Sequence, residues 1–366
     1  MDAPAGVGFS FNFGGNLTYT DTQVAIDNHQ ALIVFFTNKF PELKNNDFYI
    51  AGESYAGTYI PMLAGKLIDD KTNFPNFKGM LVGNGCLNDK LLFNTVIQYS
   101  YNHAFIDETY YRNAVAKCCN GKASENCDWY QFSANPNGNC FNESLTLNYA
   151  NFFTGLDPYF LYFSCYLDQP GGTNSVEDMS YKTQKSYRNT MTNFHARRFN
   201  YPPHVQASLP SCSHHNDAEV YLNRLDVRGA INVPGNVQNY AECSDTIANN
   251  YITEYHDMTP FVLKVVQASL KVLFFNGDVD SVCNVIHNAQ FIANLNLTLV
   301  QPATVWNISV NLPPTAGFYT AYKGVDFLTV RGAGHFVSSS NEKPREALQF
   351  FNNFLLGRDY STPFGA

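Results

Sequence analysis

Three short stretches of the 366-residue chain carry side chains that together could do acyl-transfer chemistry. Gly52-Glu53-Ser54-Tyr55-Ala56-Gly57 sets a serine between two small residues, Gly52 and Ala56. Small residues there permit the sharp strand-to-helix turn that exposes a serine hydroxyl, and the Tyr55 N–H at the helix start points to where an oxyanion develops. Asn276-Gly277-Asp278-Val279-Asp280 offers a carboxylate able to orient an imidazole, and Gly332-Ala333-Gly334-His335 offers the imidazole on a glycine turn. Alone, each has a plainer reading: a chance turn, an aspartate turn and a solvated loop histidine. Together they supply nucleophilic catalysis. His335 takes the Ser54 proton during attack on a carbonyl, Asp280 fixes the tautomer and stabilises the imidazolium, and His335 then protonates the leaving amine.

Such residues need elements that end at one edge. From Asp21 or Thr22 as N-cap, Val24, Ala31, Leu32, Phe35 and Phe36 are spaced for one buried helix face, ending at Phe40-Pro41. Phe48 to Ala51 reads as a strand, Tyr59 to Ile68 as a helix and Met80 to Val82 as a strand closed by Gly83-Asn84-Gly85. From about Asn88 to Asp217 the chain turns Tyr- and Asn-rich and carries six of nine cysteines, which suggests an inserted cap. The rhythm resumes with a short helix led by Tyr221 to Arg224, strands Lys271 to Phe275 and Phe327 to Val330, and a helix from Lys343-Pro344 burying Ala347, Phe350, Phe351 and Phe354. Ser54, Asp280 and His335 each follow a strand, in the chain order of α/β-hydrolases. The expected architecture is that fold, with a mostly parallel central sheet: a core first part over 1–87, a disulfide-rich helical cap over 88–217 and a core second part over 218–366.

Net charge is −8 and the basic residues are scattered, which argues against nucleic-acid partners. No apolar run reaches the roughly 18 residues of a membrane span. Cys118, Cys119, Cys127 and Cys140 crowd one loop and suit disulfides or zinc. Sequons at Asn16, Asn142, Asn296 and Asn307 favour a secretory setting and hence disulfides. The opening, Met1 to Ser10, reads as the middle of a domain rather than a signal segment, so a truncated N-terminus is expected.

GESYAGTYIP at Gly52 to Pro61, DAPAGVGFS at Asp2 to Ser10, VGNG at Val82 to Gly85, NGDVDSVCN at Asn276 to Asn284 and RGAGH at Arg331 to His335 resemble the serine carboxypeptidases. The Cys118-Cys119 loop is most similar to the animal cathepsin A branch, whose other name is lysosomal protective protein. The resemblance implies release of C-terminal residues from peptides at acidic pH by Ser54, Asp280 and His335, with no cofactor and no metal. It implies that Glu53 helps bind the substrate's terminal carboxylate. Two neighbouring carboxylates repel unless they share a proton, which fits an acidic optimum. It further implies pairs Cys118–Cys140, Cys119–Cys127 and Cys165–Cys212, and a buried thiol at Cys86. Cys283 would be a free cysteine lining the substrate site, a core role being an equal reading.

Cys243 would pair with a cysteine of the family's WLNGGPGCSS segment, expected upstream with the second oxyanion N–H and a carboxylate-binding Asn. Phe336 stands where the family has Met, and Ser338 where it has Pro, which bears on the leaving-side pocket. Implied partners are peptide substrates, a second copy in a homodimer, and lysosomal glycosidases; the implied address is lysosomal or secreted. The alternative function is a catalytically impaired fragment or a protective, scaffolding partner of lysosomal glycosidases, and acyl transfer by the same triad is a third.

Overall fold

The computed structural model describes residues 1–122, 127–154, 156–164, 216–241, 244–308 and 314–365. In chain order its helices are α1 (Asp21–Val34), α2 (Ala56–Asp69), α3 (Asp89–Asn102), α4 (Glu108–Cys118), α5 (Trp129–Ser133) and α6 (Phe141–Tyr149). There follow α7 (Asn216–Leu222), α8 (Leu225–Ala230), α9 (Asp245–Asn250), α10 (Thr259–Gln267), α11 (Val285–Asn294) and α12 (Pro344–Leu356). The strands are β1 (Phe48–Glu53), β2 (Phe77–Gly83), β3 (Leu156–Asp157), β4 (Phe160–Ser164), β5 (Lys271–Gly277), β6 (Leu299–Asn307), β7 (Thr315–Tyr322) and β8 (Val325–Val330).

One compact unit comprises His29–Glu108, Pro158–Leu161 and Tyr255–Ala366. It is built on a six-stranded sheet of order β1-β2-β5-β8-β7-β6. The first four strands run parallel, and β7 and β6 add an antiparallel edge. Almost every residue of β2 is buried, as a parallel strand covered on both faces requires. Pairing of Glu53 with Gly83, Gly83 with Phe275, and Gly277 with Val330 brings the C-terminal ends of β1, β2, β5 and β8 level. The loops that follow them therefore leave one edge.

Helix α2 buries every residue from Ile60 to Gly65, and Leu67, so it is enclosed on nearly all sides. Helix α12 packs Ala347, Phe350 and Phe354 into a cluster with Leu81, Leu273, Leu328 and Val330. Phe351, expected in that stripe, is instead 42% exposed, because it lies about 100° round the helix from Phe350. Helix α3 also belongs to the sheet unit, although it follows residue 88.

The other unit comprises Met1–Asn28, Thr109–Asp157 and Tyr162–Glu254. Disulfides join Cys118 to Cys140 and Cys119 to Cys127 there, the pairings the resemblance implies. The expected pair Cys165–Cys212, and Cys243, lie outside the described residues. The N-cap of α1 is Thr20, whose hydroxyl accepts from Gln23 N. Asp21, expected as a cap, is buried and accepts from Tyr251 Oη and Glu254 N, both at 2.7 Å. Ala31, expected on the buried face of α1, is exposed. Asn16, Asn142 and Asn296 are exposed and Asn307 is half-buried.

Candidate active site

The turn from β1 into α2 holds Ser54 at φ +63°, a left-handed conformation that a non-glycine residue keeps only when its surroundings enforce it. Enforcement comes from the main chain. Ser54 N donates to Gly83 O at 3.1 Å, while Ser54 O accepts from Cys86 N and Gly57 N, each at 2.9 Å. Side chains could not fit: a Cβ at Gly52 would stand 2.5 Å from Ala56 Cβ, and one at Gly57 2.6 Å from Cys86 N. Tyr55 caps α2 in helical conformation, at the positive end of the helix. Glu53, Ser54 and Tyr55 are all half-buried.

Asp280 and His335 meet at this edge, with 2.7 Å between His335 Nδ1 and Asp280 Oδ2. The carboxylate cannot donate, so Nδ1 carries the proton and Nε2 is the basic nitrogen. The pair is buried, Asp280 completely and His335 to 2% exposure. Asp280 Oδ1 accepts from Val282 N at 2.8 Å, and Oδ2 also accepts from Asn84 Nδ2 at 2.9 Å. Asn84 Oδ1 in turn accepts from Gly277 N at 3.0 Å, tying the loop after β2 to the end of β5. The His335 ring packs edge-on against Tyr159 and Phe336.

Burial alone would push the His335 imidazole down, but Asp280, Glu53 and Glu342 together hold it above its ordinary value. Burial raises the Glu53 carboxyl, opposed by His335 and reinforced by Asp280. Glu53, next to Ser54 in the chain, therefore shares an electrostatic environment with both. Burial also raises Asp278, and it pushes Glu342 up to about 7.

Cys86 is not a thiol and Cys283 is not a free cysteine: they form a disulfide, with Cα atoms 5.7 Å apart. They follow the neighbouring strands β2 and β5, so their loops run side by side. Cys283 is 1% exposed and offers no sulfur to the site surface. Among the described residues no cluster of His, Cys, Asp or Glu could hold a metal. Sequence reasoning gave no role to Asn84, although it lay in the quoted Gly-Asn-Gly, nor to Asp278, Glu342 or Tyr159. Asn84 (φ +38°) had a signal in its position straight after a strand. Glu342 had none, because its partners lie across a loop.

A mostly parallel sheet with a serine elbow, a buried Asp–His pair and all three at one edge defines an α/β-hydrolase. The serine carboxypeptidase family model matches residues 1–357, and the chain belongs to that family of hydrolases. Serine carboxypeptidase ctsa-4.1 of Caenorhabditis elegans is 38% identical, over 99% of this chain and 75% of that protein. The lysosomal protective protein of Mus musculus is 30% identical, over 98% of this chain and 75% of its own length. Among solved structures, Kex1(Δ)p, a prohormone-processing carboxypeptidase from Saccharomyces cerevisiae, is similar in fold with a TM-score of 0.63 at 19% identity, over 92% of this chain and 69% of that one. No described helix is long and apolar enough to cross a membrane.

Proposed function

We propose that this serine carboxypeptidase releases C-terminal residues from peptides through an acyl-enzyme on Ser54. His335 is the general base and acid, Asp280 orients it, and the Tyr55 N–H donates to the oxyanion. The observation that carries this is the buried 2.7 Å His335–Asp280 pair at the edge where Ser54 is held at φ +63°.

Glu53 in its protonated form donates to the terminal carboxylate of the substrate. Glu53 and His335 compete for a proton: with the proton on Glu53, the imidazole loses one neighbour that raises it, which favours its neutral, basic form. Rising pH ionises Glu53 and sets carboxylate against carboxylate, so kcat/KM falls. Phe336, beside His335, borders the leaving-residue pocket. The placement of Thr109–Asp157 in the other compact unit supports a cap that begins after α3. The disulfides, the exposed sequons and the likeness to a relative named lysosomal protective protein support a lysosomal or secreted address.

The test is hydrolysis of blocked dipeptides at pH 5 by the chain and by Ser54→Ala. Release of the C-terminal residue that depends on Ser54 is expected. Release that persists in Ser54→Ala contradicts the assignment.

A further inference from the structure

Six consecutive backbone N–H groups lead from β8 past His335, and each has an acceptor. Arg331 N donates to Ala316 O at 2.8 Å, Ala333 N to Val330 O at 3.3 Å and His335 N to Tyr159 O at 2.8 Å. Gly332 N donates to Asp278 Oδ1 at 2.6 Å. The two N–H groups that flank His335 both go to one side chain: Gly334 N to Glu342 Oε2 at 2.6 Å and Phe336 N to Glu342 Oε1 at 3.1 Å. We infer that Glu342 is a positioning residue for His335, its carboxylate clamping the peptide on either side so that the ring is presented to Ser54 while Nδ1 stays on Asp280. This rests on the triad reading above.

The loop geometry is built to bring Glu342 back. Ser339 N bonds Phe336 O at 2.7 Å, Glu342 N bonds Ser339 O at 3.0 Å and Lys343 N bonds Val337 O at 3.1 Å, before Pro344 opens α12. The segment it clamps has little other freedom. A Cβ at Gly334 would stand 2.4 Å from Tyr159 O, and one at Gly277 2.0 Å from Gly334 O. If the clamp is lost, two N–H groups beside the imidazole need new partners, and the peptides that carry the histidine are freed to shift toward them.

The clamp also has a chemical state. The groups that face Glu342 are Asp280, which raises its carboxyl, and His335, which lowers it, under the larger effect of burial. Protonation turns one carboxylate oxygen from acceptor to donor, so the clamp holds both N–H groups above about pH 7 and one of them in the acidic range of the proposed activity.

The experiment is kcat and KM for a blocked dipeptide from pH 4 to 8, with Ser54→Ala as the zero, for the wild type, Glu342→Ala, Glu342→Gln and Glu342→Asp. Glu342→Ala is expected to lower kcat about 10- to 100-fold with KM within about twofold. Glu342→Gln, which keeps shape and one acceptor, should lose less in kcat and lack the inflection near pH 7 expected of the wild type. Glu342→Asp should recover part of the Ala loss. The inference is overturned if Glu342→Gln keeps the wild-type kcat and inflection, or if the variants lose thermal stability with kcat unchanged. Should Glu342→Ala not fold, Glu342→Gln decides. Absence of Ser54-dependent activity in the wild type fails the triad reading first and this inference with it; normal Ser54 activity with indifferent Glu342 variants fails this inference alone.

Discussion

The proposed nucleophile and its proposed base are held by two different kinds of force. Around Ser54 the restraints are main-chain hydrogen bonds and glycines too close to their neighbours to bear a side chain. None of those groups titrates. Around His335 the restraints are carboxylates: Asp280 on the ring, Asp278 on Gly332 N and Glu342 on Gly334 N and Phe336 N. Burial raises Asp278 and Glu342 in this half and Glu53 beside Ser54, so the carboxylate bonds answer to pH while the main-chain bonds around Ser54 do not. On the proposed roles, pH reaches the site through the carboxyls of Glu53, Asp278 and Glu342, while close packing guards Ser54.

The largest effects come from removing either partner outright. Ser54→Ala and His335→Ala are each expected to lower kcat by about 10⁵- to 10⁶-fold, and the double variant to fall no further, since the residues act as a unit. Steady-state kinetics on the three proteins check this.

Next is the steric guard. In Gly57→Ala the new Cβ would lie 2.6 Å from Cys86 N and 2.8 Å from Cys86 O, backbone atoms that cannot step aside. A loss of about 3 kcal/mol is expected. Denaturant unfolding at pH 5 and pH 7.5 should give the same loss at both, because no titrating group is involved.

Asn84 follows Gly83, whose carbonyl accepts from Ser54 N, and itself holds both Asp280 and Gly277 N. Asn84→Ala should cost roughly 1–3 kcal/mol in stability for the orphaned buried groups. It should also lower kcat about tenfold to a hundredfold with little change in KM.

The smallest effect is on stability against pH. Glu53, Asp278, Glu342 and His335 all have raised folded values. Their contributions are present below the unfolded values and are lost as pH rises through the folded ones. Asp70, held down first by Asn73, and Glu254, held down first by Thr22, contribute above the unfolded carboxylate value and lose it in acid. Thermal unfolding should therefore show a maximum on the acidic side of neutrality and a Tm at pH 5 a few degrees above that at pH 7.5. Glu342→Gln should flatten that fall.

The comparison also explains what the sequence could show. The elbow is local: a strand, small residues at Gly52 and Ala56 and a helix, all between Phe48 and Asp69, so its type could be read directly. The parallel strands β1, β2, β5 and β8 read as apolar runs for the same reason. The antiparallel edge β6–β7 went unread, because exposed strands such as Leu299–Asn307 lack the continuous apolar signal. The histidine clamp and the Cys86–Cys283 bond depend on which loops the sheet places side by side, which no spacing along the chain encodes.

The most direct test of the central claim is stoichiometric labelling with a serine-reactive fluorophosphonate, followed by peptide mapping. The account predicts one adduct, on Ser54, with labelling slowed at least about a thousandfold in His335→Ala. An adduct on another residue, or a rate indifferent to His335, would contradict it.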